Sequence, residues 1–188
     1  MPSETAYVYD FRPVAATDLA RLGAWLAEPH VARWWGDAAS GIARIKAHTA
    51  PEDAVEPLLV LADGRPIGYL QSYRIDAEKD HPYRDQPPGT VGIDQFIGEA
   101  DLIGRGHGPR FIDDFVRRLF EAGVPRVLVD PAPDNAAAIR AYEKAGFQAI
   151  DRRTSIYGPA ILMVRDREYR MPIPAADQVS VEVVDGAA

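Results

Sequence analysis

Ile103-Gly104-Arg105-Gly106-His107-Gly108-Pro109 stands between an apolar run, Thr90 to Ile97, and a helical stripe of Phe111, Ile112, Phe115, Leu119 and Phe120 over 109–122. Gly123 closes that helix, and Val127 to Val129 reads as a short buried strand. Then Asp134-Asn135-Ala136-Ala137-Ala138-Ile139-Arg140-Ala141-Tyr142-Glu143-Lys144-Ala145-Gly146-Phe147 predicts a second helix over 134–145, ended by Gly146. Strand, glycine loop, helix, strand and helix in succession predict an α/β domain with a mixed sheet. The alternate glycines let the backbone approach a ligand with its amide hydrogens exposed, and the following helix adds its positive N-terminal end. Such a loop is a diphosphate cradle or a flexible turn. A Walker loop would end in Gly-Lys-Ser/Thr, which is absent, and a dinucleotide fingerprint would place glycine where Pro109 stands. The dinucleotide reading keeps one attraction, Asp130 at the end of the next strand.

Working outward, Tyr7, Tyr9 and Phe11 alternate with polar neighbours as in a strand that Pro13 stops. Thr17 reads as the N-cap of an amphipathic helix over 18–28, with Leu19, Leu22, Trp25 and Leu26 on one face and Pro29 at its end. In His30-Val31-Ala32-Arg33-Trp34-Trp35-Gly36, neighbouring indoles point about 100° apart on a helix, so at least one lines a surface or a cleft. Leu58–Ala62 and Ile67–Ile75 form a hairpin across Asp63-Gly64. The segment from Asp76 to Gly89 is rich in acids and prolines and reads as a mobile loop. Two last strands lie near 148–156 and 160–166, separated by Tyr157-Gly158-Pro159. One domain is expected over 1–170, followed by a tail, 171–188, that is disordered or adds an edge strand through Val179, Val181 and Val183.

Composition narrows the function classes. The chain has 188 residues, 47% hydrophobic and 26% charged, enough for one globular core. No stretch approaches the roughly 20 apolar residues of a bilayer crossing, and the N-terminus lacks a signal pattern, so a cytoplasmic protein without membrane association is expected. There is no cysteine, which excludes disulfides, thiolate metal sites and a cysteine nucleophile. His30, His48, His81 and His107 make no metal-ligand spacing, so no metal is expected. A formal net charge of −7 disfavours nucleic acid and attracts cations.

The glycine loop together with the 134–147 helix resembles the acetyl-CoA-binding half of the GNAT N-acetyltransferase superfamily, in the superfamily's order and spacing. That resemblance implies a GNAT-like fold, a central mixed, mostly antiparallel sheet flanked by helices, with acetyl-CoA as co-substrate. Leu102 and Ile103 stand where a leading Arg or Gln is expected, which leaves the phosphates to the backbone. His30-Val31, Trp34-Trp35-Gly36, Pro66-Ile67-Gly68-Tyr69, Gln71-Ser72-Tyr73, Gly92-Ile93-Asp94-Gln95, Asp130-Pro131 and Gly158-Pro159 are similar to landmarks of aminoglycoside 6′-N-acetyltransferases, over roughly residues 10–165. Related landmarks occur in acetyltransferases of siderophore assembly.

What the resemblance implies for single residues follows. Primary amines have a pKa near ~10.4, so a carboxylate must bind the ammonium and take its proton; Asp94, an acid inside an apolar strand, is expected there. Tyr142 is expected to donate to the departing thiolate. Phe96 and Ile97 supply backbone amides beside the thioester, Gly104, Arg105, Gly106, His107, Gly108 and Pro109 hold the pyrophosphate, and Asn135 bonds the CoA arm or caps its helix. Asp130 is a second substrate carboxylate or a turn residue before Pro131. Trp34, Trp35 and Tyr73 are expected as walls for a substrate ring. Tyr157 replaces an acid that the aminoglycoside enzymes carry before the last Gly-Pro, and Pro82-Tyr83-Arg84-Asp85 replaces their loop tryptophans and acidic run. The expected activity is acetyl transfer by direct attack to a small polycationic amine, first an aminoglycoside 6′-amine, with a siderophore-precursor amine as the alternative. A non-catalytic CoA-binding module is the alternative of a different class. The enzyme is expected to work as a monomer or homodimer.

Overall fold

The computed structural model describes residues 7–155 and 158–168. Among these residues seven strands form one sheet: β1 (Tyr9–Pro13), β2 (Val55–Ala62), β3 (Arg65–Arg74), β4 (Val91–Ile97), β5 (Arg126–Val129), β6 (Gln148–Ser155) and β7 (Gly158–Asp166). Their order is β1-β2-β3-β4-β5-β7-β6, and every pairing is antiparallel except β4 with β5. The mixed, mostly antiparallel sheet expected from the sequence is therefore present. The hairpin turns at Asp63-Gly64 as expected, both residues having positive φ.

The helices cover the two faces unequally. On one face, α4 (His107–Glu121) and α5 (Ala136–Lys144) close a core that includes Ile93, Phe111, Ile112, Phe115, Val127, Val129, Tyr142 and Met163. On the other, α1 (Leu19–Ala27), α2 (Pro29–Trp35) and α3 (Ala38–Ala47) bury Leu22, Trp25, Leu26, Val31 and Ile45 against Leu59, Tyr69 and Phe96. Strand periodicity explains the split, since successive side chains point to opposite faces.

Two expectations from the sequence change, and two features are added to what it showed. Thr17 is not the cap of the first helix: Asp18 reaches back to the Ala15 amide at 2.8 Å while Arg12 grips it at 2.7 and 2.8 Å. A paired carboxylate is the stronger acceptor there, and α1 starts only at Leu19. Pro29 ends α1 as expected but also begins α2, where a missing N–H is harmless. The helix α3, capped by Asp37 accepting from the Ser40 amide at 2.8 Å, carries too weak an apolar stripe to be read from the sequence.

The 76–89 segment is the second expectation to change. Its hydrogen-bonded turns hold Tyr83, 1% exposed, against Ile75, Leu128, Leu162 and Val164. It is thus the packed cover of the sheet where α1–α3 do not reach. Among the described residues no helix is long and apolar enough to cross a membrane. The 171–188 tail, its 179–184 edge-strand expectation and Tyr157 lie outside the described residues.

Candidate active site

The one parallel junction in the sheet makes the site. β4 and β5 pair only at Val91–Val127 and Gly92–Leu128, although β4 runs on to Ile97. Beyond Gly92 the strands part, and the β5-facing backbone of β4 has no strand partner. A cleft of about 930 Å³ occupies the gap and joins the two faces of the sheet. Among its walls are Asp94, Gln95, Phe96 and Ile97 of β4, the glycine loop, Asp130 and Pro131, α5, and Trp34 and Trp35 of α2.

The glycine loop folds as its composition demands. Gly104 and Gly106 both have positive φ, 74° and 81°, and Gly106 is the residue before α4. A Cβ there would force a conformation that L residues rarely adopt. With Gly108 and Pro109 they line the cleft at the positive end of α4. Arg105 is exposed and outside the cleft wall. His107 is corrected most clearly, because it is 2% exposed. Its Nδ1 lies 2.9 Å from Tyr9 Oη and its ring 4.5 Å from that of Tyr7. As the first residue of α4 its side chain is turned onto β1, so the imidazole is neither solvent-facing nor part of the cleft. Burial, helped by the charges of Arg110 and Arg105, holds its pKa below the ordinary histidine value.

Asp94 is half-buried and faces Gln71 directly across β3 and β4. Gln71 Nε2 donates to Asp94 Oδ2 at 2.8 Å, and the buried Tyr69 hydroxyl donates to Gln71 Oε1 at 2.8 Å. This chain fixes one carboxylate oxygen and leaves Oδ1 for a ligand. Burial first, and then the charge of Asp130, push the Asp94 pKa up to about 7, although the Gln71 bond opposes the shift. An acid tuned near neutrality is suited to exchange a proton with an amine.

Tyr142 comes to the same gap from α5. It is 7% exposed and accepts from Gln95 Nε2 at 2.6 Å, which leaves its own hydroxyl hydrogen to donate elsewhere. Burial, reinforced by Asp94, raises its pKa far above the usual tyrosine value, so the hydroxyl stays protonated. Gln95 Oε1 is buried without a hydrogen-bond partner among the described residues. An orphaned acceptor costs about 1–3 kcal/mol unless a ligand donor reaches it. Asn135 proves to be the α5 N-cap, accepting from the Ala138 amide at 3.1 Å, and it also lines the cleft.

The acceptor side is assembled from distant segments. Asp130 accepts from the Tyr83 hydroxyl at 2.7 Å, and burial raises its pKa against the opposing pull of that bond. Trp34 is 36% exposed on the cleft with Arg33 4.8 Å over its ring. Trp35 turns inward and packs edge-on against Phe96 and Tyr69, at 5.0 and 5.7 Å. The two indoles thus divide as the helical angle requires. Tyr73 is not in the cleft wall; its ring lies over Gly92, where a Cβ would sit 2.4 Å from a ring carbon. His30 Nε2 lies 2.9 Å from the Ile97 carbonyl oxygen and tethers α2 to the end of β4. Gln71, Gln95 and Tyr83 stood in the sequence only within family landmarks and departures, with no role assigned, and Arg44 of α3 and His48 just after it escaped sequence reasoning. The register that sets Gln71 against Asp94 is not legible across the long connection between β3 and β4.

No group of three or more potential metal ligands occurs among the described residues. Comparison with known proteins agrees with this geometry. The model of the acetyltransferase (GNAT) domain matches residues 14–154. Aminoglycoside N(6′)-acetyltransferase type 1 of Klebsiella pneumoniae is 36% identical over 159 residues, 80% of this chain and 79% of that protein. The lysine N-acyltransferase MbtK of Mycobacterium tuberculosis is 28% identical over 159 residues, 79% of this chain and 76% of its own. The structure of AAC(6′)-Ib in complex with paromomycin and acetyl-CoA superposes with a TM-score of 0.77 at 36% identity, covering 85% of this chain and 93% of that one. The family match spans most of the chain and a relative is 36% identical over 80% of it, so the chain belongs to the GNAT acetyltransferase family.

Proposed function

We propose that the chain transfers the acetyl group of acetyl-CoA to a primary amine of a small polycationic acceptor, foremost the 6′-amine of an aminoglycoside. The observation that carries this is the pair of carboxylates, Asp94 and Asp130, on the walls of the cleft where Tyr142 also stands. The residues present fit the co-substrate. The positive-φ glycines and the α4 start offer backbone amides to a pyrophosphate, and the unpaired edge of β4 and the orphaned Gln95 Oε1 offer partners to an amide-bearing arm. Acetyl-CoA supplies a thioester whose carbonyl carbon forms the new C–N bond as its C–S bond breaks.

Asp94 binds the incoming ammonium through Oδ1 and takes the proton that must leave before the nitrogen can attack. Tyr142 holds a proton at Oη for the departing sulfur. The backbone amide of Ile97, on the edge of β4 that β5 leaves unpaired, stabilises charge on the acyl oxygen, whereas that of Phe96 faces β3. Trp34 provides an aromatic wall for a sugar ring, and Asp130 takes a second cationic group. Gly104, Gly106, Gly108, Pro109 and Asn135 hold the co-substrate. The cleft is built from one chain, so a monomer suffices for activity and a homodimer is compatible with it. Because the co-substrate is an intracellular metabolite, the enzyme is assigned to the cytoplasm.

A second reading has support in the same cleft. Arg33 and Arg44 stand among its walls, and the similarity extends to a lysine N-acyltransferase. An amine that also carries an anionic group, such as a hydroxylated lysine of siderophore assembly, would use those cations. Thiol release from acetyl-CoA with neamine, kanamycin A and N6-hydroxylysine as acceptors, with Asp94→Ala as control, separates the two. Turnover of the aminoglycosides, lost in Asp94→Ala, supports the first. Turnover of the lysine analogue alone replaces it with the second, and silence on all amines favours a CoA-binding module.

A further inference from the structure

The loop that covers the second face of the sheet is more than a cover. Tyr83 is 1% exposed, yet its hydroxyl is spent on one cleft carboxylate, Asp130, at 2.7 Å. Its ring is locked among Ile75, Leu128, Leu162 and Val164, so the hydroxyl has little freedom to move. The loop itself is latched to β6. Arg153 grips Asp85 with two hydrogen bonds, at 2.8 and 2.6 Å, reaches the Pro82 carbonyl at 3.3 Å, and sits 5.8 Å over the Tyr83 ring. Arg84 ties the loop to its own start through the carbonyls of Asp76 and Glu78, and Arg126 donates to Gln86.

We infer that Tyr83 is a positioning residue: held by the Arg153–Asp85 latch, it fixes one oxygen of Asp130 so that the other meets a second cationic group of the acceptor, and thereby makes the enzyme prefer diamines and polyamines over monoamines. This rests on the acetyl-transfer reading above. Asp94, with its own hydrogen-bond chain from Tyr69 and Gln71, takes the reacting amine, and the two acids are held by independent networks. A rigidly held carboxylate binds a cation better than one that must be ordered on binding, because the ordering is done in advance. Tyr83 also works against the effect of burial on Asp130: burial raises the carboxyl's pKa, and the tyrosine bond and the neighbouring His81 oppose that rise. The groups that face Asp130 are Tyr83 and His81 from the loop, Asp94 of β4, Tyr73 of β3 and Tyr142 of α5.

Tyr83→Phe keeps the ring and removes only the hydroxyl. Steady-state kinetics would compare neamine and 1,5-diaminopentane with 6-amino-6-deoxyglucose and pentylamine, each at several pH values. The expected result is a fall of about tenfold in kcat/KM for the first two, carried by KM, and less than twofold for the monoamines. Losing the bond raises the Asp130 pKa, so the acid limb of kcat/KM for the diamines moves to higher pH. Arg153→Ala, which loosens the latch but leaves the hydroxyl, should give a smaller effect with the same selectivity. Equal losses on monoamines and diamines, or none on either, would overturn the inference. A 13C-carboxyl NMR titration, with Asp130→Asn assigning the resonance, reads the same network without turnover. An upward shift of the Asp130 pKa in Tyr83→Phe is expected, and an unchanged value sinks the proposal even if wild-type enzyme acetylates none of these amines. In that case the acetyl-transfer reading has failed separately.

Discussion

The two ends of the cleft are built by different means. At the donor end, Gly104, Gly106 and Pro109 are placed by backbone conformation within one short loop, and Asn135 by the start of its own helix. At the acceptor end, Asp94 is set by Gln71 and Tyr69, and Asp130 by Tyr83, with partners 23 and 47 residues away. The latch between Asp85 and Arg153 spans 68 residues. A site made locally tolerates change elsewhere in the molecule, whereas one made by long-range side-chain contacts can be retuned by residues that never touch the substrate. The glycine loop is therefore the locally built part of the cleft, and the acceptor half is the adjustable one.

Substitutions on either side of that divide should give different kinetic signatures. Asp94→Asn should cause the largest loss, about 10³-fold in kcat/KM for every amine, with acetyl-CoA binding retained in a calorimetric titration. Wild-type kcat/KM should rise with pH through an apparent pKa near 7 as Asp94 ionises. The same group predicts a stability effect of opposite direction. Its folded pKa lies above the unfolded value, so the native state binds the extra proton between about pH 4 and pH 7 and loses that stabilisation as pH rises through 7. Asp94→Asn should therefore raise the thermal midpoint at pH 8 by roughly 5 °C and change it little at pH 4, which differential scanning calorimetry would show.

Tyr142→Phe should lower kcat about 10²-fold with little change in either KM, because in the proposed reaction the hydroxyl acts on the departing sulfur, while the ring still packs 5.8 Å from Phe147. A stopped-flow assay of thiol release would register it. Gly106→Ala, at φ 81°, should cost roughly 1 kcal/mol of stability and raise KM for acetyl-CoA about tenfold while leaving the acceptor KM alone. If the acceptor KM moved as much, the two ends would not be separable. The smallest change is expected from Gln71→Leu at low pH. The Gln71 bond lowers the Asp94 pKa, so the variant should shift the acid limb of the profile upward by a fraction of a unit.

Legibility follows the same divide. The succession of strands along the chain and the helices expected over 109–122 and 134–145, found at His107–Glu121 and Ala136–Lys144, are readable because apolar spacing and terminal glycines are local signals. The acidic 76–89 segment misled for a physical reason. A stretch without periodicity looks mobile unless one knows that Tyr83 has a socket, and the socket is made by β5 and β7, which follow much later in the chain. His107 misled likewise: its place inside a glycine loop suggests a phosphate donor, but the direction of the α4 start turns it onto Tyr9 of β1.

The sequence by itself determined the glycine loop, the Asn135-to-Phe147 helix and the acid within β4, because each depends on backbone preferences and polarity encoded over a few neighbouring residues. Only the tertiary structure decided in which direction each acid's pKa moves, which indole packs into the core beneath the cleft and which loop fixes the second carboxylate. Those outcomes depend on strand register, on desolvation and on where the sheet parts between β4 and β5, and all three are set by the packing of segments far apart in the chain.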